Sequence, residues 1–160
     1  ATISFSKCLG LYSERIGCLI YRTNSIKVSQ RIFKKAEEII SAEYMCPPKH
    51  GAELVSEIIS NPNLIKEWKK ELKMIVERLK QIRKDLYSLI KSYKIPGDWS
   101  RIINQQGFFI FLNIDEVGIE YLKLHHGVFL LKNGRGNICT LGPHNITNFV
   151  EALHQCIMRV

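Results

Sequence analysis

The chain has 160 residues, of which 46% are hydrophobic and 24% charged, enough for a domain-sized core and too apolar for a disordered segment. No apolar run approaches the ~20 residues that a membrane helix needs, so a membrane role is not expected. The net charge of +8 raises nucleic-acid binding, yet residues 62–94 alone hold ten Lys/Arg against four acidic residues, with no aromatic or Gly-rich module between them. That excess reads as the wet face of one helix, and nucleic acid is not expected as a partner.

Ala1-Thr2-Ile3-Ser4-Phe5 has no initiator Met and no signal-peptide pattern. It looks like a strand entered partway, which suggests a piece of a longer polypeptide. Ile3 and Phe5 alternate with serines at the period of a strand. Residues 7–15 contain Gly10, Tyr12 and Ser13 and read as an irregular loop. The apolar run Gly17–Tyr21 reads as a short buried strand. Asn24 or Ser25 can cap a helix that continues to about Ser41.

Pro47-Pro48 interrupts the chain, and a short helix over roughly 49–59 follows. Asn61-Pro62 supplies a capping side chain and a proline at the first helical position. Apolar residues at 64, 65, 68, 72, 75, 76, 79, 82, 86, 89, 90 and 93 then recur in steps of three and four. They form one stripe along a long helix that Pro96-Gly97 ends. Beyond it the pattern predicts a strand at 108–112, a helix at 115–124, a strand at 128–131, a turn at Asn133–Gly136, a strand at 137–141 and a last helix capped by Asn145. The class is therefore α/β or α+β, with a domain boundary in or beside the long helix.

The five cysteines are scattered without a CxxC pair, and no HExxH occurs. Reduced thiols of a cytoplasmic protein are expected, with neither a disulfide framework nor a metal site.

Lys7 is the first candidate for chemistry. A lysine at the end of a buried strand is desolvated, which favours the neutral amine that condenses with aldehydes. The plainer reading is a surface lysine closing a strand. Ser4-x-x-Lys7 also matches a serine-nucleophile motif, but its Ser-Asp-Asn and Lys-Thr-Gly partners are missing. Arg15 follows a glycine-containing loop, and with the Ser4 and Ser6 hydroxyls it would suit a phosphate; alternatively it pairs with Glu14 on the surface. Arg135, between Gly134 and Gly136, could grip a carboxylate through its planar fork or lie in solvent at a turn. These glycines make no dinucleotide fingerprint, because Cys139 stands where the third belongs. Trp68 and Trp99 read first as core or interface residues ahead of cofactor stacking, and Phe108, Phe109 and Phe111 as sheet core ahead of pocket wall.

Ser4-Phe5-Ser6-Lys7-Cys8-Leu9-Gly10-Leu11-Tyr12-Ser13-Glu14-Arg15-Ile16-Gly17 resembles the cofactor-lysine segment S-F-[SA]-K-x-x-G-L-Y-x-E-R-x-G of the aspartate aminotransferase family. Pro47-Pro48, Gly51-Ala52, Glu67-Trp68, Pro96-Gly97-x-Trp99, Gly107-x-Phe109 and Gly134-Arg135-x-Asn137 continue the likeness in order across essentially the whole chain.

The resemblance implies the C-terminal portion of a fold-type I pyridoxal-phosphate (pyridoxal 5'-phosphate, PLP) transferase of α/β class. Residues 1–60 would end the large domain, 61–95 form an interdomain helix and 96–160 a small domain. Lys7 would carry the cofactor and move the substrate proton, while Ser4 and Arg15 would bind its phosphate. Arg135 would bind the substrate carboxylate, with Phe109 lining the pocket beside it. Amino acids and 2-oxo acids would be the small-molecule partners, reacting by a ping-pong course in a homodimer.

Some of the family's active-site groups lie upstream of this segment, so the segment alone is expected to be inactive. The family's arginine for the distal carboxylate is Ser41 here, which leaves a related enzyme of broader or aromatic range as one alternative. A non-catalytic basic binding module is the other.

Overall fold

A computed structural model describes residues 1–159. The chain forms two compact units, Ala1–Leu72 and Lys73–Val160.

In the first unit, β1 (Thr2–Ser4) pairs antiparallel with β2 (Gly17–Leu19), Ile3 standing opposite Cys18. Between them Phe5–Cys8 forms a single helical turn, α1, with Ser4 as its N-cap. The amide of Phe5 donates to the carbonyl of Ile16 at 3.1 Å, closing the loop that joins the two strands. β2 is exposed along its length, not buried as its apolar composition predicts. Ser25 caps α2 (Ile26–Tyr44), its hydroxyl accepting from the amide of Val28. None of the α2 side chains is buried; Ile26 is 79% and Phe33 58% exposed. α3 (His50–Ser60) buries Gly51 and Val55.

α4 runs from Pro62 to Ser92 and starts as its sequence predicts. The side-chain carbonyl of Asn61 accepts from the amides of Asn63 and Leu64, two of the donors a helix start leaves free. Its apolar stripe is buried only from Leu79 onward, with Ile82, Leu86 and Ile90, whereas Met74, Ile75 and Val76 are exposed.

The second unit has a dense core in which Leu86, Ile90, Ile102, Ile138, Val150 and Leu153 are fully buried. Each such side chain removes enough apolar surface from water to stabilise by about 1.5–3 kcal/mol. α5 (Arg101–Asn104) leads into β3 (Phe109–Phe111), which pairs antiparallel with β4 (Arg135–Asn137). The strand alternates: Ile110 lies in the core, while Phe109 and Phe111 face outward. α6 (Glu116–His126) is capped by the Asp115 carboxylate and ends on Gly127 at φ 62°. α7 (Ile146–Met158) lays Phe149, Val150, Leu153 and Cys156 inward.

Three expectations fail here, each for a local reason. The predicted strand at 128–131 forms no ladder; its single bond toward β4 runs from the Leu131 amide to the Arg135 carbonyl, and Phe129 is 76% exposed. The strand lies at 135–137, where a turn was expected in part. Residues 138–140 curl into a 3-10 turn instead of a strand, because the Asn137 side chain accepts from the Cys139 amide and competes with sheet pairing. Asn145 precedes α7 without capping it. Its side chain bridges backwards, accepting from the Gly142 amide and donating to the Thr140 carbonyl.

Candidate active site

Lys7 does not lie at the end of a buried strand. It sits on α1 and is exposed, while its neighbours Phe5 and Ser6 are buried and anchor the turn. The Ser4 hydroxyl accepts from the Ser6 amide at 3.4 Å and keeps its own proton for a ligand. The loop after Lys7 folds back, with Gly10 at φ 70° and Arg15 at φ 52°. Tyr12 is the meeting point: the Lys7 amine lies 4.9 Å from its ring centroid, and Arg15 Nη1 donates to its carbonyl at 3.2 Å. Among the described residues no ion pair joins Arg15 to Glu14, and no carboxylate neutralises Lys7. The loop therefore presents an amine, a guanidinium and a hydroxyl with donors to spare.

Arg135 opens β4 in the second unit. Its amide donates to the Asn133 side chain, and Gly134, at φ 74°, closes the turn by donating to the Leu131 carbonyl. A Cβ on Gly134 would strike the Leu112 carbonyl, so only glycine lets the turn reach that strand. Arg135 stands opposite Phe111 in the register, which places it diagonal to Phe109 on the outward face. Its guanidinium carbon lies 4.7 Å from the Phe109 ring centroid. No hydrogen bond or ion pair uses that guanidinium among the described residues. A half-buried planar cation braced on an aromatic face, with its donors free, suits a carboxylate. The structure thus brings Phe109 and Arg135 together, and Lys7 and Arg15 around Tyr12.

Several supporting residues have contacts that the sequence did not assign: Trp68 belongs to the Glu67-Trp68 landmark without a stated role, and Arg83 and Gln105 carry no motif. The Trp68 indole donates to the Cys8 carbonyl at 2.7 Å, next to Lys7. Arg83, on the inner face of α4, is 4% exposed and donates to three carbonyls, those of Ile102, Gly107 and Phe109. Burial pushes its guanidinium below the usual range. Gln105 takes both backbone groups of Phe111, accepting from its amide and donating to its carbonyl. The only hint for Arg83 was its place one residue after an apolar position of the stripe. Ser41 lies exposed on α2.

The family profile described as "Aminotransferase class I and II" matches residues 1–153. The cytoplasmic aspartate aminotransferase of Gallus gallus is 31% identical over 157 residues, 98% of this chain and 38% of that protein. Aspartate aminotransferase 3, chloroplastic, of Arabidopsis thaliana is 31% identical over 98% of this chain and 35% of its own length. Among solved structures, the aromatic-amino-acid aminotransferase of Burkholderia pseudomallei, covalently bound to pyridoxal phosphate, superposes with a TM-score of 0.90 at 28% identity, covering 98% of this chain and 39% of that one. The chain thus spans 35–39% of the length of these relatives.

Proposed function

The chain belongs to the class I and II aminotransferase family, whose profile covers residues 1–153, and from that premise we propose that the protein is a pyridoxal-phosphate-dependent aspartate aminotransferase. It would exchange amino groups between aspartate or glutamate and 2-oxo acids by a ping-pong course. The observation that carries this reading is the loop in which the Lys7 amine and the Arg15 guanidinium both engage Tyr12.

The donor set fits the cofactor: an accessible amine for an aldehyde, and a guanidinium with a hydroxyl for a phosphate dianion. Bound there, pyridoxal phosphate supplies an electron sink for charge developing at the substrate's α-carbon. Lys7 would hold the cofactor through its amine, and its Nζ would carry the proton from the substrate's α-carbon to the cofactor carbon that the aldehyde supplies. Ser4 and Arg15 hold the phosphate. Arg135 would bind the α-carboxylate through its fork, with Phe109 beneath it, and so fix the orientation of the substrate. In this reading residues 1–60 end the large domain, 61–95 are the interdomain helix and 96–160 the small domain. The protein works as a homodimer, and the exposed apolar side chains of α2 support a covering partner. We assign it to the cytoplasm, like the Gallus relative; the chloroplastic Arabidopsis relative shows that the family serves other compartments too.

Ser41 favours a second substrate range. A hydroxyl cannot pair with a distal carboxylate as a guanidinium does, at a loss of about 1.5–3 kcal/mol of discrimination. Broader or aromatic amino acids then compete with aspartate, and the aromatic preference named for the Burkholderia relative supports that range. Comparing kcat/KM for glutamate and phenylalanine separates the two.

Borohydride reduction of the full protein, followed by peptide mass spectrometry, tests the core of the reading. A phosphopyridoxyl group on Lys7 is expected. An unmodified Lys7 in folded protein supplied with pyridoxal phosphate would overturn it.

A further inference from the structure

β3 has a partner on one side only. Its inner edge pairs with β4: the Ile138 amide donates to the Phe108 carbonyl, and the Leu112 amide to the Gly134 carbonyl. In an antiparallel pair alternate residues turn their backbone groups away from the partner, and here Phe109 and Phe111 do so. No third strand takes those groups up among the described residues. Arg83 accepts none of that work by chance of surface contact: it is buried on α4, 26 residues from Phe109 in sequence, and donates to the Phe109 carbonyl at 2.9 Å. It holds the approach to the strand as well, through the carbonyls of Gly107 at 2.8 Å and Ile102 at 2.9 Å. Gln105 serves the Phe111 amide at 3.1 Å. Five residues before Arg83 on the same helix, Arg78 donates to the Cys139 carbonyl at 3.1 Å, just past the end of β4.

We propose that Arg83 is a positioning residue for carboxylate binding: from its seat on α4 it fixes β3 so that the Phe109 ring lies beneath the Arg135 guanidinium. The proposal rests on the reading of Arg135 as the carboxylate grip. A cation buried without a counter-ion is costly, and an apolar residue would serve mere packing better. What the guanidinium adds is a rigid planar fork that spans three carbonyls, which a lysine's point-like ammonium on a flexible stem cannot reproduce. Without it the outer edge of β3 is free to shift, and the brace under Arg135 shifts with it.

The test uses the full protein and isothermal titration calorimetry with succinate and 3-phenylpropanoate, two unreactive carboxylates that cover both substrate ranges. In R83K both dissociation constants are expected to rise about tenfold, while cofactor content at Lys7 is unchanged, since small misplacements of a binding group carry losses of this order. Q105A, which removes both side-chain bonds to Phe111 on the same edge, is expected to weaken both by about threefold, since neutral hydrogen bonds have a small net worth. Unchanged constants in folded R83K would show a structural role only and overturn the proposal. If R83K does not fold, Q105A decides: weakening supports the strand-edge device, and unchanged constants overturn it. R135K separates the layers. If it leaves the constants unaltered, the carboxylate reading of Arg135 falls; if it weakens them while R83K and Q105A do not, only the positioning proposal falls.

Discussion

Arg135 and Arg83 show how one side-chain type serves opposite ends within a single unit. Arg135 keeps its donors unspent, braced on Phe109 and open to a ligand. Arg83 spends its donors on backbone carbonyls and is buried. Position decides the difference, since Arg135 stands on an outward strand face and Arg83 on the inward face of a helix. The turn that delivers Arg135 depends on Gly134, which combines φ 74° with a Cβ position blocked by the Leu112 carbonyl. Gly134→Ala is expected to cost at least about 2 kcal/mol, the left-handed conformation plus the backbone collision. Gly10→Ala, at φ 70° with open space around it, is expected to cost only about 1 kcal/mol. Urea midpoints of the two variants check this; equal losses would mean that the Leu112 contact does not matter.

At the scale of elements, short pieces are held by longer ones. α1 is a single turn and could not persist alone, because helix nucleation is unfavourable. Ser4 caps it, the Phe5 amide ties it to Ile16, and the Trp68 indole on α4 holds its last residue by the Cys8 carbonyl. Trp68→Phe keeps the ring packing and removes that bond, at an expected cost of about 0.5–1.5 kcal/mol. Hydrogen exchange should quicken across Phe5–Gly17 and stay unchanged in α7. Equal exchange in both proteins would show that the indole does not steady the Lys7 turn.

At the scale of the whole chain, burial is unequal. Phe5 and Val55 are the buried apolar residues of the first unit among the described residues, whereas the second holds a large buried cluster from Leu79 to Leu153 and a smaller one of Leu122, Ala152 and Cys156. α2 carries an amphipathic sequence with no face covered. Protection should follow burial. In the 160-residue chain studied alone, amides of α2 should exchange far faster than those of α7, and an apolar dye should bind. Comparable protection of the two helices would mean that α2 finds cover within the chain or in a second copy.

Sequence alone determined the long helix, from its Asn-Pro start and its stripe, and the strand at Phe109, from its apolar run. These signals are local: a cap, a proline and a periodicity act within a few residues. It also determined the family, through the run from Ser4 to Gly17. Local signals did not reach three other features. Lys7 lies exposed on a helical turn instead of closing a buried strand, because the buried neighbours Phe5 and Ser6 anchor that turn. The second strand of the small sheet moved to Arg135–Asn137, because Gly134 admits a close approach to Leu112 and Asn137 turns the chain immediately afterwards. The buried fork of Arg83 joins residues up to 26 positions apart, whereas the nearness of Phe109 to Arg135 was implied by the family resemblance and by no local signal. Only tertiary structure decides such contacts, since the hydrogen bonds that a strand's outer edge requires can be met by any donor the fold brings to it.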